Sequence, residues 1–488
     1  MVKFGNRHLV PFLVHMRSDG NASPFPIPHL RPKEALDVLS VLCGCAMSDA
    51  PVFNMFTSGP LLPLFLRTAA PIILVMGVNG AFAVVDAYFL GVYVGARAVI
   101  AVTLMFPLYM MLVALSTLVS NGFSALYAQA LGAGDGPRAH ALLGSALQLA
   151  LVVSFVLMGL FVLFGAPMAI RVAAGDVGLA DTGHLYLAIL VFGSPLGFLV
   201  AIGVDALRAQ GRMGPMAAIM LMAAVLNIGF DALLVVGLGQ GVAGSAIGTL
   251  LSQLCAGLAV IAVRRGQPRP VVWPMRPAHW GRLLALGAPS SLGYVGLSLS
   301  AAVTLVAIQL WGGAQFNAIA GAFGIISRLM TFAFLPLLGL SMAFQTITAN
   351  VYGAGQDARV RAALRVAVGI GLAYGLCVQV VYLLGAPRLG AVFVDDPQIV
   401  AQVARILPIT TATMFMFGPL MMVATHFQAI GDAPRAGLLG LSRTYLFGLP
   451  LTLLLPLIWG EVGIWLAGPV AECLVLGLTV SVLWRRRG

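Results

Sequence analysis

The chain has 488 residues, of which 60% are hydrophobic and only 9% charged, and its mean hydropathy is +1.00. A soluble globular domain carries roughly 25% charged residues, so this composition excludes a soluble enzyme. The net charge of +11 does not signal nucleic acid, because the arginines recur in alternate connections and form no single patch. Cys43, Cys45, Cys255, Cys377 and Cys473 have neither disulfide nor zinc spacing.

Residues 1–60 differ from the rest of the chain, being rich in Pro, His and polar residues. The apolar run Leu36–Met47 is too short to span a bilayer core of about 30 Å. The reading here is a cytoplasmic tail without fixed structure, or an early start with Met47 or Met55 as the true one. Twelve apolar spans come after it, at about residues 64–91, 98–123, 139–164, 184–207, 214–236, 241–263, 283–311, 318–346, 361–384, 400–427, 436–458 and 462–484. With the N-terminus inside, the cytoplasmic connections and the C-terminus hold Arg138; Arg208 and Arg212; Arg264, Arg265, Arg269, Arg276 and Arg282; Arg359, Arg361 and Arg365; Arg435 and Arg443; and Arg485, Arg486 and Arg487. The outer connections hold Arg97, Arg171, Arg388 and Arg405. This asymmetry places both termini in the cytoplasm.

The two halves repeat. Pro71 matches Pro289 at an offset of 218, Gly132-Ala-Gly134 matches Gly353-Ala-Gly355 at 221, and Gly165-Ala-Pro167 matches Gly385-Ala-Pro387 at 220. RAQG at 208–211 matches QAIG at 428–431, again at 220. Six spans repeated in one orientation imply two bundles related by an axis along the membrane normal. The expected architecture is an all-α polytopic membrane protein of twelve transmembrane helices in two pseudo-symmetric six-helix bundles. The bundles would occupy residues 61–265 and 283–488, joined by a cytoplasmic linker over 266–282.

The first bundle carries the unusual chemistry. An Asp in lipid-compatible sequence costs about 2.5–3.5 kcal/mol to insert, which makes a functional reading its default. Asp86 lies in span 1 and Asp231 in span 5. Asn227 shares a helical face with Asp231, four residues away. Asp231 stands eight residues before Gly239 and Thr249 eight residues after Gly241, so an antiparallel hairpin puts both about 12 Å below its turn. Asp86, near the outer end of span 1, falls at the same level. All four offer oxygens, which suits a hard cation such as Na⁺; a proton would equally relieve repulsion between two carboxylates. At the repeat offsets their counterparts are Thr304, Phe447 and Leu451, so ion handling is expected in the first bundle alone. Pro71, fifteen residues before Asp86, reads as a hinge or as a static kink. Asn79, Phe82, Tyr88, Arg328, His426 and Glu472 are candidates for lining a substrate cavity. Phe89 and Tyr294 are further aromatic faces for a cation. Asp205 and Arg208, near an inner helix end, read as solvated or structurally paired.

At these residues a resemblance becomes specific. VVDAYFLG (84–91) after a Pro, GAGD (132–135), LRAQG (207–211), LNIGFD (226–231) followed by GVAGSAIGTLLSQ (241–253), and YGAGQ (352–356) together resemble the multidrug and toxic compound extrusion (MATE) transporters over about residues 61–486. The likeness is greatest to the DinF-like prokaryotic branch, whose cation-binding Asp, Asn, Asp and Thr match Asp86, Asn227, Asp231 and Thr249. Second-lobe acids of the NorM-like branch have no match here; His426 at the end of span 10 is the nearest titratable group. The resemblance implies a monomeric antiporter in the bacterial inner membrane that exports cationic or amphipathic small molecules. H⁺ or Na⁺ would be the coupling ion, with no other cofactor and no nucleic-acid partner. The alternative within the superfold is a flippase for lipids or lipid-linked precursors. The sequence contains no HExxH or GxSxG motif that would argue for a membrane-embedded enzyme.

Overall fold

A computed structural model describes residues 54–267 and 277–484. The tail over residues 1–46 and the middle of the 266–282 linker lie outside the described residues. Among the described residues ten helices are single membrane spans, and two bent pairs bring the number to twelve. Spans 1 to 3 are Leu61–Phe89, Ala96–Gly132 and Gly136–Val172; span 4 is Val177–Phe192 with Ser194–Ala209; spans 5 and 6 are Met213–Asp231 and Gly241–Val263. The second lobe repeats the order. Trp280–Trp311, Phe316–Gly353 and Asp357–Phe393 are spans 7 to 9, Pro397–Thr410 with Met414–Ala429 is span 10, the segmented stretch Ala433–Trp459 is span 11 and Glu461–Trp484 is span 12. The repeat survives as geometry. Ala96 and Phe316, Val177 and Pro397, Ser194 and Met414, Met213 and Ala433, and Gly241 and Glu461 all begin helices, each pair 220 residues apart.

Two of the repeated motifs are helix stops, whereas Gly165-Ala-Pro167 and Gly385-Ala-Pro387 lie inside the helices Gly136–Val172 and Asp357–Phe393. Gly134 and Gly355 (φ 69° and 72°) and Gly211 and Gly431 (φ 78° and 86°) take the left-handed conformation just past a helix end, where glycine has no Cβ penalty. Asp135 and Asp432 then cap the next helices, accepting from the amides of Arg138 and Arg435. Because the GAG stops lie beyond the apolar stretches, and the Gly-Ala-Pro motifs do not interrupt their helices, spans 2, 3, 8 and 9 run to 37, 37, 38 and 37 residues. At 1.5 Å per residue that is about 55 Å, well past a bilayer core. Spans 4 and 10, each read from the sequence as one span, are bent by 50° and 49°. In span 4, Pro195 opens the second segment without an amide hydrogen, and a Cβ on Gly193 would lie 2.2 Å from Leu250. In span 10, Thr410 and Thr411 turn their hydroxyls onto the Leu407 carbonyl, a local bond that competes with helix continuation.

The lobes meet at the Arg-rich end. A Cβ on Gly122 of span 2 would lie 1.9 Å from the Leu283 carbonyl oxygen, and one on Gly287 of span 7 only 1.7 Å from that of Leu118. Spans 2 and 8 cross as closely, with Gly132 against the Asn350 carbonyl (1.9 Å) and Gly353 against that of Gln129 (2.0 Å). Around this seam the buried clusters draw on both lobes: Phe65, Ala69 and Ile72 pack with Leu340, Phe344 and Ile347, while Phe123 and Leu126 pack with Leu283 and Leu286. Toward the opposite end each cluster belongs to one lobe, as with Leu90, Tyr186 and Val242 in the first and Ile319, Ile326 and Leu407 in the second. The lobes therefore diverge into a cleft open at the Arg-poor end.

The structure decides between the two readings of one charged pair and changes the reading of a third residue. Asp205 and Arg208 are structurally paired rather than solvated: both are buried, 3.0 Å apart, and Arg208 also donates to Ser124. Arg443, assigned above to a connection, lies inside span 11 in the π-helical stretch Ser442–Gly448. It pairs with buried Glu472 at 2.5 Å and stacks over Phe417 at 3.8 Å.

The last residues before span 1 are held to the seam. Asn54 donates to the side chain of Asn350, Phe56 is 1% exposed, and Arg359 donates to the carbonyls of Phe56, Ser58 and Gly59. Starting translation at Met47 is therefore expected to give wild-type membrane levels and drug resistance. Starting at a Met placed before Leu61 should reduce expression several-fold, because Phe56 leaves its socket; quantitative blotting of membranes separates the two. Equal levels from both would show that the socket contributes nothing.

Candidate functional site

Asp86 and Asp231 each stand at the end of an α-helix that passes into a π-helical turn. Asp86 precedes Leu90–Val94 by one turn, and Asp231 directly precedes Ala232–Gly237. Such turns widen the backbone locally and recur at functional sites. The intervening span-5 to span-6 turn is made by Gly239 and Gly241, both at positive φ, which lets span 6 return against span 5. The hairpin register expected from the sequence holds to within one turn. The Asn227 amide donates to Thr249 Oγ1 at 3.3 Å, and Asp231 faces Gly248, where a Cβ would come 2.7 Å from Asp231 Oδ1.

Span 1 joins this hairpin through a residue the sequence reading missed. Ser245 donates to Asp86 Oδ1 at 2.7 Å, and its carbonyl accepts from Thr249 Oγ1 at 3.2 Å. A continuous path thus runs from Asp86 through Ser245 and Thr249 to Asn227. The available signal was spacing, since Ser245 precedes Thr249 by four residues and shares its face. Tyr186 of span 4, buried against Leu90 and Val242, lies within electrostatic reach of both carboxylates, and Tyr109 of span 2 within reach of Asp86. Asp86 and Asp231 are within reach of each other. Asp231 is 1% exposed, and its Oδ1 has no hydrogen-bond partner among the described residues. A buried carboxylate oxygen left this way costs desolvation without compensation. An oxygen-only donor set with one free buried acceptor fits a hard cation or a proton.

The other candidates do not join this cluster. Asn79 is exposed on span 1, seven residues before Asp86 and so on nearly the same face. Pro71 lies within the unbroken helix Leu61–Phe89. The side chains of Phe82 and Tyr88 lie outside the described set. Phe89 stacks on Tyr93 at 6.0 Å, and Tyr294 is half-buried. Glu472 is paired as above, His426 is buried with its ring edge-on to Phe427, and Arg328 is exposed on span 8.

Two repeated helical lobes, a central cleft and a polar site at membrane depth are the design of a secondary transporter. The chain belongs to the MatE family: the family model matches residues 71–233 and 289–454, one stretch in each lobe. It is 27% identical to the FAD transporter of Shewanella oneidensis, over 88% of this chain and 95% of that protein. It is 23% identical to the multidrug export protein MepA of Staphylococcus haemolyticus, over 90% and 97%. The fold matches a solved MATE in the bent conformation with a TM-score of 0.80, at 21% identity over 90% and 97% of the two chains. It also matches an outward-facing multidrug resistance MATE family transporter at 0.77, 22% identical over 89% and 97%.

Proposed function

We propose that this protein is an antiporter that exports cationic or amphipathic toxic compounds in exchange for H⁺ or Na⁺. In this reading it is a monomer in a bacterial inner membrane, with its Arg-rich end and both termini in the cytoplasm. The observation that carries the proposal is the first-lobe cluster, where Asp86 and buried Asp231 converge with Asn227, Ser245 and Thr249. An entering ion neutralises two carboxylates that otherwise repel across a low-dielectric site. A cationic compound in the cleft offers Asp86 similar relief, so ion and compound favour different states and each shifts the population toward its own. Ethidium efflux from everted vesicles, with a pH or Na⁺ gradient imposed separately, tests the exchange. Efflux indifferent to both gradients would refute it.

Exclusion between the ligands has a measurable sign. Ethidium affinity of the purified protein in detergent is expected to rise with pH over roughly 5.5–8, as the carboxylate site gives up its proton. If Na⁺ couples, adding it at fixed pH and ionic strength weakens ethidium binding. Affinity flat in both variables would mean that the carboxylates do not link ion to compound.

A further inference from the structure

Arg328 stands inside span 8, twelve residues from the start of the helix Phe316–Gly353. Its guanidinium makes no hydrogen bond or ion pair with any described residue. By contrast, Arg443 of span 11 is neutralised by Glu472. A charge facing hydrocarbon at this depth is costly, and such residues face a water-filled cavity or a partner.

The helix geometry decides which. Leu335 and Gly339 follow Arg328 by seven and eleven residues, so all three lie within about 20° of one line along span 8. That line faces the first lobe: a Cβ on Gly80 of span 1 would lie 3.0 Å from Leu335 Cδ1, and one on Gly339 would lie 2.8 Å from Ile73 Cγ1. The other side of span 8 is occupied by its own lobe. Tyr382 and Tyr374 donate to the carbonyls of Leu329 and Ala333, and Ile325, Ile326, Leu329 and Ala333 are buried there. Arg328 thus points into the cleft, with exposed Gly324 and Thr331 beside it. From the Gly80–Leu335 contact, Asp86 is six residues toward the open end and Arg328 seven, or about 9 and 10 Å at 1.5 Å per residue. The acidic cluster and the guanidinium therefore stand at one level on opposite walls of the cleft.

We propose that Arg328 is a substrate-binding residue that receives an oxyanion, so that the exported compounds include aromatic amphiphiles bearing a phosphate or carboxylate. This assignment rests on the transport reading above and narrows it to a substrate class. The guanidinium offers a planar fork of donors that matches either group bidentately.

Riboflavin and riboflavin 5′-phosphate, which differ by one phosphate, form the matched probe pair, with ethidium as a cation lacking an oxyanion. Binding is measured on the purified full chain in detergent. The wild type is expected to bind the phosphate form at least about tenfold more tightly than riboflavin, as for a hydrogen-bonded charged pair. Arg328→Gln should erase that preference, Arg328→Lys should keep part of it, and ethidium affinity should not fall in either variant. Adding phosphatidylglycerol or phosphatidylcholine to the micelles separates the sources of the oxyanion. Displacement of the flavin phosphate by the former alone identifies a lipid headgroup; no displacement identifies a free solute; both outcomes keep Arg328 as the receiver. Equal wild-type affinity for the two flavins, a preference unchanged in Arg328→Gln, or a parallel loss of all three ligands would overturn the assignment. Ethidium efflux that still follows the gradients in that case would leave the transport reading standing, whereas its absence would remove both.

Discussion

Replacing either first-lobe carboxylate by its amide, Asp86→Asn or Asp231→Asn, is expected to reduce gradient-driven efflux to the level of vesicles without the protein. The change is nearly isosteric, and an Asn at 86 still accepts from Ser245, which holds span 1 to span 6 at 2.7 Å. What it removes is the charge that, in the proposed exchange, an ion neutralises and a compound competes for. At position 231 the loss is more direct, because the carboxylate is 1% exposed and one oxygen has no partner among the described residues. The variants should reach the membrane at wild-type levels and melt within a few degrees of it, since no buried ion pair is broken. Efflux from everted vesicles together with the melting temperature separates loss of coupling from loss of fold. Full gradient-driven transport by either variant, at equal expression, would take that residue out of the mechanism.

A second large effect is expected at the seam between the lobes. Gly122→Val or Gly287→Val places side-chain atoms where the carbonyls of Leu283 and Leu118 now lie, less than 2 Å from the new Cβ. Backbone that belongs to a packed helix cannot swing aside as a side chain does, so the lobes must part at the Arg-rich end. Overpacking of this kind costs about 1–3 kcal/mol or more, enough to shift a two-state population by about tenfold. A cysteine placed at Ala349, buried in the seam, reports the opening in a background lacking all five native cysteines, Cys43, Cys45, Cys255, Cys377 and Cys473. Its maleimide labelling should accelerate at least about tenfold in the glycine variants and remain slow in Gly159→Val, where a Cβ meets nothing within 4 Å. Unchanged labelling in all three would mean that the seam is not the closed gate.

Much of this was legible before any coordinates. Twelve apolar stretches count spans because a bilayer core sets their length, and the GAG and QG motifs mark turns because only glycine adopts positive φ there without strain. The convergence of Asn227, Asp231 and Thr249 followed from helix rise and a tight hairpin. What escaped depends on helix rotation and on partners far away in sequence, neither of which hydropathy reports. Ser245 reaches Asp86 across 159 residues. Arg443 looked like a loop arginine because its neutralising partner, Glu472, is in another helix. The bends of spans 4 and 10 were hidden because only Gly193 and Thr411-Ala412-Thr413 separate their segments, too short an interruption to break an apolar stretch. The glycine seam was invisible because a glycine in an apolar helix looks the same whether it faces lipid or another backbone.

One helix belongs to both halves of the machine. Asp86, Asn227, Asp231, Ser245 and Thr249 all lie in the first lobe, so a bound ion cannot act as a clasp between the lobes. Span 1 carries a site carboxylate and also lies against the second lobe, through Ile73 on Gly339 and Gly80 on Leu335. In the proposed exchange it would work as a lever: its far end is tethered to the first-lobe polar cluster at Ser245, and its near end is wedged among Leu340, Phe344 and Ile347. Between the two, Pro71 leaves one rung of the helix ladder unmade. Any torque that a coupling ion applied at Asp86 would reach the opposing lobe along this shaft, whose weakest joint lies where the shaft enters the wedge.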